Sequence, residues 1–206
     1  MLYHERRARK NGSRIIIGVD EAGRGPLAGP VVVAAVYLKT FNFKNYIDDS
    51  KKLSSKERST AFLEIAEKSV FGIGIINEGA IDAINILEAA RLGVDNAVSG
   101  LVLRIRRPRP TRKNTFLLLD GTLRSRLPYP SKEIIGGDGK SLSIAAASIV
   151  AKVIRDRIME IYSRIYPQYG FDIHKGYGTR RHLENIARHG LSPIHRKTFC
   201  HKHEGL

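Results

Sequence analysis

Apolar and polar positions along this chain alternate with two different periods. RIIIGV (14–19) and VVVAAVYL (31–38) are β-branched and aliphatic runs, bounded by Gly12-Ser13 before the first and by the turn-forming EAGRGPLAGP between the two. Runs of this kind predict strands, and FGIGII (71–76) predicts a third. Between the second and third, Ser54 is followed three residues later by Glu57, the reciprocal pair that opens a helix by satisfying its free N–H groups. Ile81, Ile84, Leu87, Ala90 and Val94 recur at helical spacing and predict a helix over roughly 80–100, with Glu88 and Arg91 on its polar face. FLLLD (116–120) and EIIGGD (133–138) read as a fourth and a fifth strand, each ending in a carboxylate. The longest helical segment is 141–166, Ala-rich at its start and amphipathic later through Ile149, Val153, Ile154, Ile158 and Ile161. A short helix near 179–188 follows, in a tail punctuated by aromatic, glycine and histidine residues.

Strands and helices in this order predict an α/β domain, a mixed central sheet flanked by helices. The expected organisation is a basic lead-in over 1–13 that is free to be flexible, a main domain over 14–166, and a small helical extension over 167–206 packed on it. No apolar run approaches the roughly 18 residues of a membrane span. The start, MLYHERRARKNGSR, has positive charge without the hydrophobic stretch of a secretory leader, so the cytoplasm is the expected compartment.

Charge changes the picture more than composition does. With 35 Lys+Arg against 20 Asp+Glu the 206-residue chain carries a formal net charge of +15, while 42% hydrophobic residues suffice for a folded core. An excess of this size makes a field that attracts polyanions, and nucleic acid is the leading partner. Six basic residues and two prolines in 104–113 mark an exposed basic loop. The single cysteine, Cys200, excludes an internal disulfide and the usual Cys-rich zinc module.

Ligands of such sheets lie beyond the carboxyl ends of the strands, which is where the acids stand. Asp20 and Glu21 follow the first strand, Asp120 ends the fourth and Asp138 follows the fifth. Parallel neighbouring strands would bring the four together, and uncompensated carboxylates in one cleft repel unless a cation holds them. Oxygen-only ligands favour Mg2+ or Mn2+. Taken singly each acid is also a turn or cap residue, and Asp138 stands well to cap the long helix. An acidic knot in a basic protein fits a metal-dependent phosphodiester enzyme; the alternative is a non-catalytic basic nucleic-acid-binding protein whose acids are structural. A zinc module built from His195, Cys200, His201 and His203 is disfavoured by tight spacing and the single thiol.

GVDEAGRGPLAGPVVVAAV (18–36) resembles the signature of bacterial type 2 ribonucleases H, the ribonuclease HII family. DDSKKLS (48–54), LLLDG (117–121), 137–159 and 166–199 resemble further blocks of that family in its order, so the likeness runs from about 14 to 199. The resemblance implies an RNase H-like fold and an endoribonuclease that cuts the RNA strand of RNA/DNA hybrids. It also implies incision at ribonucleotides embedded in duplex DNA, with 3′-hydroxyl and 5′-phosphate ends and a two-metal mechanism. Carried over by position, Asp20, Glu21 and Asp120 are the metal-binding acids, with Asp138 as the fourth member of the active site. Gly23-Arg24-Gly25 matches the element that reads the ribose 2′-hydroxyl, and Tyr177 the junction-sensing tyrosine. Ser50, Lys51 and Lys52 lie in the block whose lysines contact phosphate, and Lys175, Arg180, Arg181, His195, Arg196 and Lys197 would extend that track. The partners so implied are RNA/DNA hybrids and ribonucleotide-containing DNA duplexes, with no membrane and a monomeric chain. Thr122 and Leu191 depart from the family's common Asn and Pro, at positions that are not metal ligands. The related type 3 enzymes carry an added N-terminal domain, for which there is no room ahead of Arg14.

Overall fold

A computed structural model describes residues 1–200. Five strands, β1 (Ile15–Ala22), β2 (Val31–Leu38), β3 (Ser69–Ile76), β4 (Thr115–Asp120) and β5 (Ser131–Ile134), form one sheet in the order β3-β2-β1-β4-β5. β1 pairs antiparallel with β2 and parallel with β4, and β4 pairs parallel with β5, so the sheet is mixed as expected. The helices are α1 (Tyr3–Lys10), α2 (Ser55–Lys68), α3 (Glu78–Arg104), α4 (Leu142–Ile165), α5 (Phe171–His174), α6 (Arg180–His189) and α7 (Lys197–Cys200). None of the described helices is long and apolar enough to cross a membrane.

The period-two pattern of β1 divides the core. Ile15, Ile17 and Val19 join Val33, Ala35, Leu117 and Leu119 against α3, whose Ala90, Val94, Ala97 and Leu101 are buried there. The other face carries Ile16 and Gly18 toward α4. A Cβ on Gly18 would collide with the backbone of Ser143, so glycine lets the start of α4 lie directly on the strand. The alanines of α4, Ala145, Ala146, Ala147 and Ala151, are all buried against β2 and α2. Small side chains at both surfaces set the depth at which α4 rests, and with it the side chains it delivers to the strand ends.

The capping box is present: Ser54 accepts from the Glu57 N–H while Glu57 accepts from that of Ser54. Three expectations differ from the outcome. α3 breaks at Asn85, which adopts φ 65° and caps the second half through the N–H groups of Leu87 and Glu88. The break turns the apolar stripe, leaving Ile84 and Leu87 exposed while Ile81, Ala90 and Val94 are buried. β5 ends at Ile134, and the chain turns through Gly136 into a 3-10 turn over Gly137–Gly139, so Asp138 belongs to that turn and not to a strand. Asp138 does not cap α4 either. Ser141 does, accepting from the Ile144 N–H, and Asp138 accepts from Gly139 in its own turn. The lead-in segment is helical as α1, and its buried Glu5 accepts from both Ser141 and Ser143 at the start of α4.

Candidate active site

The parallel register of β1 and β4 pairs Ile15 with Thr115 through Val19 with Leu119. One step further the chain carries Asp20 on one strand and Asp120 on the other, side by side and on the same face. Glu21 follows at once, and oxygens of Asp20, Glu21 and Asp120 all lie within 4.8 Å of one another. It is the one such acid, histidine or cysteine group among the described residues. Asp138 stands next to it through the backbone: Asp120 Oδ1 accepts from the N–H of Gly137 at 2.6 Å and of Asp138 at 3.3 Å.

These carboxylates are held under strain. Burial, then the charges of Glu21 and Asp120, raise the Asp20 carboxyl well above its ordinary range. Burial also raises Glu21, against the opposing charge of Arg24, whose Nη1 lies 3.3 Å from Glu21 Oε1. Asp138 is raised by burial and then by Asp120, with Lys51 Nζ 3.6 Å away pulling the other way. Glu21 Oε2 is buried with no hydrogen-bond partner at all. An orphaned carboxylate oxygen in an all-oxygen donor set fits a hard divalent cation, which would neutralise the repulsion and occupy the idle lone pairs.

A cleft of about 300 Å³ opens over the acids and is lined by Asp20, Glu21, Gly23, Arg24, Gly25, Ser50, Lys51, Asp120, Ser148, Lys152, Arg155 and Tyr177. The turn Gly23-Arg24-Gly25 and Tyr177, far apart in sequence, therefore face one space, and Tyr177 is half exposed there. Lys51 reaches into it, whereas Lys52 pairs with Asp48 at 3.3 Å and is not part of the lining. Ser50 is buried, its Oγ accepting from Ser148 Oγ at 2.9 Å, so it braces the helix under the acids.

Ser148, Lys152 and Arg155 were not singled out by sequence reasoning. They stand four and three apart on α4, one helical stripe facing the strand ends, and a serine inside a buried alanine run was the available signal. His195 and Arg196 cannot extend a phosphate track, because both are buried. The tail zinc arrangement fails at the same residue: His195 Nδ1 meets Ser192 and its Nε2 meets His182, which leaves no ring nitrogen for a metal. Cys200 is buried, and His201 and His203 lie outside the described residues.

Comparison with known proteins agrees with the site. The family model described as Ribonuclease HII matches residues 17–204. Ribonuclease HII of Acholeplasma laidlawii is 49% identical over 97% of this chain and 94% of its own, and that of Enterococcus faecalis 46% over 97% and 75%. The crystal structure of ribonuclease H2 from Pyrococcus horikoshii superposes with a TM-score of 0.70 at 25% identity, covering 91% of this chain and 96% of that one. The chain thus belongs to the ribonuclease HII family and is a metal-dependent ribonuclease that acts on RNA/DNA hybrids.

Proposed function

We propose that this protein also incises duplex DNA at embedded ribonucleotides, by two-metal-ion hydrolysis that leaves 3′-hydroxyl and 5′-phosphate ends. The observation that carries the reading is the meeting of Asp20, Glu21 and Asp120 with the Gly23–Gly25 turn and Tyr177 around one cleft. A pair of Mg2+ or Mn2+ ions, when bound, supplies an activated water and stabilises charge on the leaving 3′-oxygen. Asp20, Glu21 and Asp120 would hold those ions, and Asp138, in the turn beside Asp120, would serve as a further acid of the site. Lys51 and Lys152, at the rim, hold the scissile strand's phosphates. Lys52 and Ser50 serve the same block less directly, the one as an exposed charge, the other as a brace beneath Lys51.

Selectivity falls to two elements. Backbone groups of Gly23, Arg24 and Gly25 approach the sugar closely and read its 2′-hydroxyl, the one group that separates RNA from DNA there. Tyr177 packs on the following sugar, where an added hydroxyl would clash, so a deoxyribose is preferred. In this reading the protein works as a cytoplasmic monomer.

The test is a synthetic DNA duplex with a single ribonucleotide, incubated with chelator-washed protein with and without Mg2+ or Mn2+. The expected result is one metal-dependent cut at the ribonucleotide, with the stated ends. Tight binding with no cut under any metal would instead establish a non-catalytic binder.

A further inference from the structure

Beneath the Gly23–Gly25 turn lie two buried arginines, one of them, Arg155, at the floor of the cleft. Arg196 is 0% and Arg155 1% exposed. Their hydrogen bonds go to backbone carbonyls. Arg196 donates to Gly23 at 2.6 Å, to Arg24 at 2.9 Å, and to Gly29 through both Nε and Nη2. Arg155 donates to Pro30 at 3.0 Å, Ala28 at 3.1 Å and Lys175 at 2.9 Å. Glu78, an acid whose charge acts on both, makes no ion pair with either and keeps a buried Oε1 without a hydrogen bond. Two buried guanidiniums bonded to carbonyls carry a desolvation penalty that core packing alone does not require.

Geometry shows what they achieve. In a trans peptide the N–H points opposite to the preceding C=O. Turning the carbonyls of Gly23 and Arg24 into Arg196 therefore turns the N–H groups of Arg24 and Gly25 the other way, on the turn whose residues line the cleft. Gly23 adopts φ 97°, and a Cβ there would strike the Arg155 guanidinium and come within 2.8 Å of the Pro30 carbonyl. Arg155 also ties in the Lys175 carbonyl, two residues before Tyr177. We propose that Arg196 and Arg155 are positioning residues for sugar selection: their planar forks lock the turn's two N–H groups outward and fix its distance from the Tyr177 loop. The assignment rests on the reading of that turn given under Proposed function.

Lysine keeps the charge but not the fork, so Arg196→Lys is the discriminating variant. The measurement is the ratio of affinities for a single-ribonucleotide duplex and its all-DNA counterpart, in Ca2+, by fluorescence anisotropy. Wild type is expected to prefer the ribonucleotide, and Arg196→Lys to lose about fivefold or more of that ratio. The variant should still unfold in one cooperative transition, at a lower temperature because buried carbonyls lose their donor, and the Mn2+ concentration for half-maximal hybrid cleavage should stay near wild type, a split that loss of folding would not produce. Arg155→Lys is expected to lower the same ratio. A folded Arg196→Lys with its ratio within twofold of wild type overturns the arginine assignment. A wild type without any preference overturns instead the reading of the turn. Should both variants fail to fold, side-chain NMR of wild type decides: an Arg196 Nε–H exchanging as fast as an exposed arginine overturns the proposal, and slow exchange supports it.

Discussion

Two of the polar clusters among the described residues are built on opposite principles. At the strand ends Asp20, Glu21 and Asp120 crowd like charges together and leave Glu21 Oε2 idle. Behind the Tyr177 loop His174, His182 and His195 gather as closely, with ring centroids 4.3 and 5.2 Å apart, yet their ring nitrogens are all partnered. The partners fix the tautomers. His182 Nδ1 must donate to the Tyr177 carbonyl, so its Nε2 accepts from His195 Nε2 at 3.0 Å, and His195 Nδ1 in turn accepts from the Ser192 N–H. His174 donates to the Tyr169 carbonyl and accepts from the Gly176 N–H. One cluster is complete as protein; the other is complete only with cations. Here like charges crowded at the strand ends mark the place of chemistry, and the satisfied histidine chain marks scaffold beside it.

The sharpest way to break this contrast is to neutralise one acid. Asp120→Asn is expected to lower hybrid cleavage on the order of a thousandfold or more while hybrid binding survives, since removing negative charge does not weaken attraction to phosphate. In chelator the same variant, or Asp20→Asn, should melt roughly 2–4 °C above wild type because a repulsive charge is gone. Retained cutting, or a lower melting temperature in chelator, would count against an electrostatically strained metal site. Tyr177→Ala touches the border between the clusters: its carbonyl belongs to the histidine scaffold and its ring to the cleft. Cutting at a single embedded ribonucleotide should fall about tenfold more than cutting of continuous hybrid. Equal losses would remove the junction-sensing role.

Much of the first cluster was legible in the sequence, and little of the second. Asp20-Glu21 and Asp120 could be read because a strand's end is visible in its pattern, and parallel strands put such ends together. The stripe Ser148, Lys152, Arg155 was not, since which face of α4 meets the acids depends on the close approach at Gly18. Arg196 and His195 carry the letters of a phosphate-binding surface, and nothing in the sequence shows that carbonyls of a distant turn enclose the first and a neutral histidine chain the second. Asn85 escaped for a different reason: apolar spacing continues across the break, so periodicity alone reads one straight helix. Partners far away in sequence decide burial, and burial decides whether a charge is scaffold or contact.

A loss of stability tests the scaffold directly. His182→Ala strands the Tyr177 carbonyl and the His195 ring nitrogen together, and should cost about 2–4 kcal/mol of stability. Metal affinity should be untouched, because the ring contacts none of the acids. A variant as stable as wild type would mean that the chain of neutral rings is not what holds this part together.

A last test comes from pH, and its sign separates the histidines from surface charge. Burial pulls His182 and His195 down to about 4, and lowers His174 as well. A histidine lowered in the folded state binds its proton more readily when unfolded, so its contribution is fully present above pH 6.5 and is lost as pH falls toward 4. Protonation makes the reason concrete: a second N–H on His182 would face the Nε2–H of His195, and one on His195 would face the Ser192 N–H. In chelator the histidines should therefore lower the melting temperature on the order of 5 °C from pH 7 to pH 5, while the raised Asp20, Glu21 and Asp138 carboxyls gain stability over the same fall and offset part of it. In His182→Phe, which removes one proton acceptor and keeps an aromatic ring, that fall should shrink. An identical fall in both proteins would assign the acid sensitivity to groups elsewhere and leave the histidine chain without a part in it.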